Sequence, residues 1–226
     1  IYAYRSPEYV KDVGTVDRIR AAEEEWKSGF PAKRNLEFPQ RAVFLDRDGV
    51  INRYNGFVRT PEELELLPCA AEGLKRLNSS VYLTIVVSNQ PVVARGETSE
   101  AELETIFNKM KTLLGREGAF VDDVFYCPHH PDSGFPGEVK ELKIDCDCRK
   151  PKTGMLRRAA ERYHLDLSAC YLVGDTTGDI QCGKNAGVRT VLVRTGEAGR
   201  DGKYAVTPDL VADDLAAAAT KILEEQ

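Results

Sequence analysis

The sequence predicts a three-layer α/β sandwich, in which a mainly parallel sheet carries helices on both faces. Two observations lead there. Short apolar runs rich in β-branched residues alternate with segments of helical period from Arg41 onward. Such alternation implies parallel strands joined by crossover helices. Several of the apolar runs also stop abruptly in polar residues: Asp46-Arg47-Asp48-Gly49, Ser88-Asn89-Gln90 and Gly174-Asp175-Thr176-Thr177-Gly178-Asp179. In a parallel sheet those ends share one edge, the edge where α/β proteins bind ligands.

Residues 1–40 differ in character from the rest. They are expected to form an N-terminal helical extension and linker ahead of a domain spanning residues 41–226. Residues 17–28 read as an acidic helix stopped by Gly29-Phe30-Pro31, and residues 31–40 as the linker. Arg41–Leu45 is the first strand. Residues 69–78 form a helix after the Leu66-Leu67-Pro68 turn, and residues 81–87 the second strand. Residues 99–114 place Leu103, Ile106, Phe107, Met110, Leu113 and Leu114 at helical spacing, with Ser99 as N-cap. Residues 120–126 are the third strand and 153–164 a helix. Then come a fourth strand (170–173), a helix (179–186), a fifth strand (190–193) and an Ala-rich closing helix (213–225).

Composition narrows the function. With 226 residues, 42% hydrophobic and 30% charged, the chain has the make-up of one soluble α/β domain plus an appendage. A net charge of −5 with no basic run gives no footprint for nucleic acid. No apolar stretch reaches the length of a membrane-spanning helix and no signal-peptide pattern opens the chain. The six cysteines are unevenly placed, which fits a reducing cytoplasm and a metal site better than a disulfide framework.

The chemistry gathers at the strand ends. A strand continued through Asp46 and Asp48 points both carboxylates to one face, an arrangement that wants a cation or a shared proton. Asp46, Asp48, Ser88, Asn89, Asp175 and Asp179 converge on the common edge, and Arg149-Lys150 brings positive charge to it. Acids, a hydroxyl and a lysine together suit a hard cation such as Mg²⁺ and a phosphate. Cys127-Pro128-His129-His130 and Cys146-Asp147-Cys148 supply three thiols and an imidazole in two pairs bridged by a loop, the donor set of a closed structural zinc site. His129 is the expected ligand, with His130 the alternative. Gly199-Arg200-Asp201-Gly202-Lys203 has the look of a phosphate loop, but Tyr204 stands where Ser or Thr is required, so the segment reads as a surface loop.

These residues resemble the four motifs of the haloacid dehalogenase-like phosphatases: Asp46-x-Asp48, Ser88, Lys150 and Gly174-Asp175-x-x-x-Asp179, in order across residues 42–193. The resemblance implies a Rossmann-like sandwich, Asp46 as the nucleophile, Asp48 as general acid and base, and Ser88, the Asn89 amide and Lys150 around the transferring phosphoryl group. It also implies Mg²⁺ on Asp46, the main-chain carbonyl of Asp48 and Asp175, with Asp179 orienting that shell. Asp46 and Asp48 are both present, so an inactive scaffold is not expected.

Within the superfamily, Asp-Arg-Asp-Gly with Cys-x-His and Cys-x-Cys-Arg-Lys-Pro is similar to the histidinol-phosphate and heptose-bisphosphate branch. That similarity implies removal of the 7-phosphate of D-glycero-D-manno-heptose 1,7-bisphosphate in nucleotide-activated heptose biosynthesis, with histidinol phosphate or another small sugar phosphate as alternatives. Tyr54, Asn55, Gly56, Phe57, Asn89, Gln90, Arg95 and Arg149 are the implied substrate contacts. Thr176 and Pro91 depart from the pattern, standing where a lysine and a small polar residue are usual. The motif spacing leaves no room for a separate cap domain. Pro7-Glu8-Tyr9-Val10-Lys11-Asp12-Val13-Gly14-Thr15 resembles the closing segment of sugar-phosphate nucleotidyltransferases, which implies such an enzyme as a fused or associated partner.

Overall fold

A single sheet organises the chain. The structure, a computed structural model, describes residues 8–33 and 35–225; residues 1–7 of the expected extension lie outside the described residues. Strands β1 (Arg41–Leu45), β2 (Tyr82–Asn89), β3 (Asp123–Cys127), β4 (Tyr171–Gly174), β5 (Arg189–Val193) and β6 (Leu210–Ala212) lie in the order β3-β2-β1-β4-β5-β6, every pair parallel. The order reverses between β1 and β4, so the carboxyl ends of these two strands open the crevice where doubly wound sheets bind ligands.

Alternation along the strands builds two cores. Val43, Leu45, Val86, Val173 and Val191 face one side and pack with helices α3 (Ala70–Asn78), α5 (Glu100–Arg116) and α8 (Leu215–Glu224). Ala42, Phe44, Leu83, Ile85, Val87 and Leu172 face the other and pack with α6 (Gly154–Tyr163) and α7 (Thr177–Ala186). A strand buried on both faces reads as a continuous apolar run, which is why β1 and β2 stand out in the sequence. Helix α5 starts in a full capping box between Ser99 and Glu102, and α7 in another between Thr176 and Asp179. Thr176, the departure in the fourth motif, thus has a structural duty.

Several expectations need correction. β6 has no counterpart in the sequence reading, and β3 begins at Asp123 rather than residue 120. The short helix α4 (Pro91–Ala94) follows β2, started by the Pro91 that departs from the pattern. The expected linker contains a further helical turn, α2 (Phe30–Lys33), and ends stitched to the domain where Gln40 N–H donates to the His164 carbonyl. Helix α1 (Val16–Lys27) buries none of its residues and leaves Val16, Ile19 and Trp26 exposed. From α3 onward every described helix belongs to the sandwich, with no second domain among them. Among the described residues no helix is long and apolar enough to cross a membrane.

Gly73 shows packing overruling propensity. A Cβ there would sit 2.7 Å from the Leu215 carbonyl carbon and oxygen, where α3 meets the start of α8. Backbone cannot swing aside. Helix propensity alone favours Gly73→Ala by about 1 kcal/mol, whereas a forced shift of two packed helices costs about 1–3 kcal/mol. Gly73→Ala is therefore expected to lower stability in urea unfolding; a stabilised variant would show that the two helices separate freely.

Candidate active site

The centre of the site is Lys150. Its ammonium group lies 2.9 Å from Asp46 Oδ1 and 2.6 Å from Asp179 Oδ1, and donates to the Val87 carbonyl at 2.8 Å. It is 7% exposed. Burial alone would lower its pKa, but Asp179 and Asp46 hold it above the ordinary lysine value. The backbone of Lys150 is fixed as well: Asn89 accepts from its N–H at 3.0 Å and donates to its carbonyl at 3.2 Å.

Carboxylate oxygens of Asp46, Asp175 and Asp179 all lie within 4.8 Å of one another. Asp179 is already engaged, one oxygen by Lys150 and the other by the Thr176 N–H and hydroxyl. Asp175 Oδ2 accepts from Glu197 N–H at 2.7 Å, while its buried Oδ1 has no hydrogen-bond partner. An orphaned carboxylate oxygen costs free energy unless a cation meets it. Burial pushes Asp46 up to about 6, against Lys150 and with Asp179 and Asp48 adding to the rise. Burial, then repulsion from Asp46 and Asp179, pushes Asp175 up to about 8. This donor set fits Mg²⁺, which takes oxygen ligands and would ionise both acids. Space around Asp175 is reserved by glycine: a Cβ on Gly49 or Gly196 would lie 2.2 or 2.0 Å from its Oδ2, and both have positive φ.

Asp48 has its own partners. The strand ends at Leu45, and Asp48 lines the same cleft as Asp46, close enough to add to the rise in its pKa, but its carboxylate is held by groups other than Lys150. Asp48 accepts from Arg47 at 2.9 Å to each oxygen, from Asn52 at 2.9 Å and from Gln90 at 2.9 Å. Gln90 also donates to Ser88 Oγ at 2.8 Å. Arg47 and Asn52 are fully buried and were not anticipated, because charged and amide residues in a turn look solvated in sequence.

A cleft of about 480 Å³ opens above these groups, lined by Asp46, Asp48, Tyr54, Phe57, Asn89, Arg95, Arg149, Lys150, Asp175 and Asp179. Ser88 and Gln90 lie beneath it, both nearly inaccessible, and Asn55 and Gly56 are exposed beyond its lining. The Asn89 side chain lines the cleft yet spends its amide on Lys150. Gly199-Arg200-Asp201-Gly202-Lys203 is a surface loop as expected, and it also borders the site. Glu197, Asp201, Lys203 and Tyr204 line the cleft, and Asp201 accepts from the N–H and hydroxyl of Thr177 at the start of α7.

Beside the cleft, the ligand atoms of Cys127, His129, Cys146 and Cys148 also lie within 4.8 Å of one another. His129 contributes Nδ1, 3.3 Å from Cys148 Sγ. His130 is outside the cluster, with Nε2 3.5 Å from an Arg95 nitrogen. The hydrogen bond between Cys148 and Cys127, 3.0 Å long, is the main cause that lowers Cys148 to about 5, and the same bond raises Cys127. Three crowded thiols cannot all ionise without a cation, and the set is compatible with zinc.

Known proteins agree with this geometry. A family model described as HAD-hydrolase-like matches residues 147–218. D-glycero-beta-D-manno-heptose-1,7-bisphosphate 7-phosphatase of Salmonella typhi is 41% identical over 157 residues, which are 69% of this chain and 81% of that protein. The protein of the same name from Pseudomonas aeruginosa is 38% identical over 184 residues, 80% of this chain and 97% of its own. The crystal structure of D,D-heptose 1,7-bisphosphate phosphatase from B. bronchiseptica, complexed with magnesium and phosphate, matches with a TM-score of 0.71 at 36% identity, covering 83% of this chain and 99% of that one. The chain belongs to the haloacid dehalogenase-like phosphatases. These relatives all fall in one branch of that family, the heptose-bisphosphate phosphatases.

The raised carboxyls predict how stability answers to pH. Their folded pKa values lie above the unfolded one, so the folded state holds more protons, and stability falls as pH rises from about 4 to about 8. Mg²⁺ binds the ionised form and restores it. The rise in Tm on adding Mg²⁺ to EDTA-treated protein is expected to be larger at pH 8 than at pH 5. Equal rises would mean that the acids are ionised without the ion.

Proposed function

We propose that this chain is a Mg²⁺-dependent phosphomonoester hydrolase that removes the 7-phosphate of D-glycero-D-manno-heptose 1,7-bisphosphate. The observation that carries the reading is the Asp46 carboxylate on the floor of the cleft, 2.9 Å from Lys150 Nζ, below a rim bearing Arg95 and Arg149. The substrate assignment is supported by the relatives' names and by those two cations, which suit an anion at each end of a small sugar.

In the proposed reaction a carboxylate oxygen of Asp46 forms a bond to phosphorus as the bond from phosphorus to the sugar oxygen breaks. Asp48 supplies the proton that the departing oxygen needs. Water then attacks the aspartyl-phosphate, Asp48 takes its proton, and phosphate leaves with Asp46 restored. Lys150 meets the phosphoryl charge, and Asp179 keeps Lys150 aimed. Asp46, the Asp48 main-chain carbonyl and Asp175 would hold Mg²⁺. When bound, the ion neutralises phosphate oxygens that would otherwise repel the carboxylate nucleophile.

Phosphate release should be measured with Mg²⁺ from both anomers of heptose 1,7-bisphosphate and from histidinol phosphate. A heptose bisphosphate is expected to exceed histidinol phosphate in kcat/KM by about two orders of magnitude or more, and Asp46→Asn to abolish turnover. If histidinol phosphate wins, the substrate reading fails while the chemistry stands; activity in Asp46→Asn removes the nucleophile.

We also propose that Cys127, His129, Cys146 and Cys148 hold one structural zinc, since their donor atoms leave no open ligand position. Elemental analysis of the purified protein is expected to find one zinc per chain, and Cys148→Ser to lose it with a lower Tm. A metal-free native protein of unchanged Tm would refute the site.

A further inference from the structure

Phe135 lies midway along the loop between the two halves of the Cys/His cluster, and no motif points to it. Its ring centroid is 4.4 Å from the guanidinium carbon of Arg95; on the same guanidinium, the ring of Phe57 lies at 4.6 Å. Arg95 is the cation that α4 delivers to the cleft rim, and its Nε is buried without a hydrogen-bond partner. The fork is held only at long range: one terminal nitrogen is 3.5 Å from His130 Nε2 and the other pairs with Glu97 at 3.9 Å, contacts that an oxyanion at hydrogen-bond distance would outcompete.

Phe135 is itself fixed. The His130 ring meets it edge-on at 5.8 Å, and the Lys143 ammonium lies 4.6 Å from its centroid. Glu138 accepts from the N–H groups of Gly134 and Phe135 at 2.8 and 3.0 Å. The loop is then docked on α4, where Val139 N–H donates to the Ala94 carbonyl and Ala94 N–H to the Pro128 carbonyl. The fit is tight: a Cβ on Gly96 would lie 1.9 Å from the Gly137 carbonyl oxygen. An arginine side chain normally surrenders much rotamer freedom when it grips a ligand. Two aromatic faces and an ordered loop remove that freedom in advance, and leave the polar edge of the fork for an oxyanion.

We propose that Phe135 is a specificity-determining positioning residue, which with Phe57 holds Arg95 oriented to grip the phosphate that is not transferred. The enzyme would thereby select sugar bisphosphates over monophosphates through a loop that the Cys/His cluster anchors. This inference rests on the bisphosphate reading above.

The test compares heptose 1,7-bisphosphate with heptose 7-phosphate, using wild type, Phe135→Leu, Phe135→Tyr, Arg95→Ala and the double variant Phe135→Leu with Arg95→Ala. Phe135→Leu is expected to raise KM for the bisphosphate about tenfold with kcat nearly unchanged, and to move KM for the monophosphate far less. Phe135→Tyr keeps the aromatic face and is expected to restore the wild-type KM. In the Arg95→Ala background the Phe135→Leu effect should vanish, since one residue acts through the other. Equal losses on both substrates, or losses additive with Arg95→Ala, would mean that Phe135 only supports the fold and would overturn the proposal. If wild type treats the two substrates alike, the bisphosphate reading fails and this inference with it. A wild-type preference that survives in Phe135→Leu overturns the inference alone.

Discussion

Lys150 carries a positive charge into a place almost closed to water, and the carboxylates of Asp46 at 2.9 Å and Asp179 at 2.6 Å make that burial tolerable. Removing either partner, or the lysine, would leave an uncompensated buried charge, a loss of about 3–5 kcal/mol. The surrounding structure is arranged to prevent it. Asn89 at the end of β2 clamps the Lys150 backbone, Val87 takes a third ammonium proton, and the α7 capping box turns Asp179 inward. Three strand ends and a loop are thus locked by one ammonium group.

The same locking leaves a deliberate deficit on the other side. Asp46 and Asp175 are crowded and buried, with one Asp175 oxygen unpartnered and two glycines keeping side-chain atoms away from it. Such a place is costly until a hard cation arrives. The Cys/His cluster is a second deficit of softer chemistry, and its loop reaches both Lys150 and the rim carrying Arg95. Stability that a metal would supply there would be passed to the geometry of the cleft.

Legibility in the sequence followed burial. Strands β1, β2 and β4 were plain because a strand covered on both faces is a continuous apolar run. β6 was missed because Leu210–Ala212 is three residues long and its pairing with β5 is backbone chemistry. That the surface loop after β5 borders the site is hidden for a related reason: it serves Asp175 through the Glu197 and Gly199 N–H groups, which any side chain would provide. Arg47 went unnoticed because nothing in Asp-Arg-Asp-Gly says that the arginine turns inward to pair with Asp48.

By itself the sequence determined which chemistry meets at the sheet edge. Carboxylates, a hydroxyl and a lysine at the ends of β-α units are local features, and a parallel sheet can put strand ends only on one edge. Three thiols and an imidazole in paired spacing likewise announced a cluster of donors that could hold a metal. Tertiary structure alone decided directions: the Asp48 carboxylate held by Arg47, Asn52 and Gln90, Gln90 buried rather than lining the cleft, and Arg95 against Phe57 and Phe135. Those choices rest on contacts between residues tens of positions apart, set by turn angles and packing, and no local pattern encodes them.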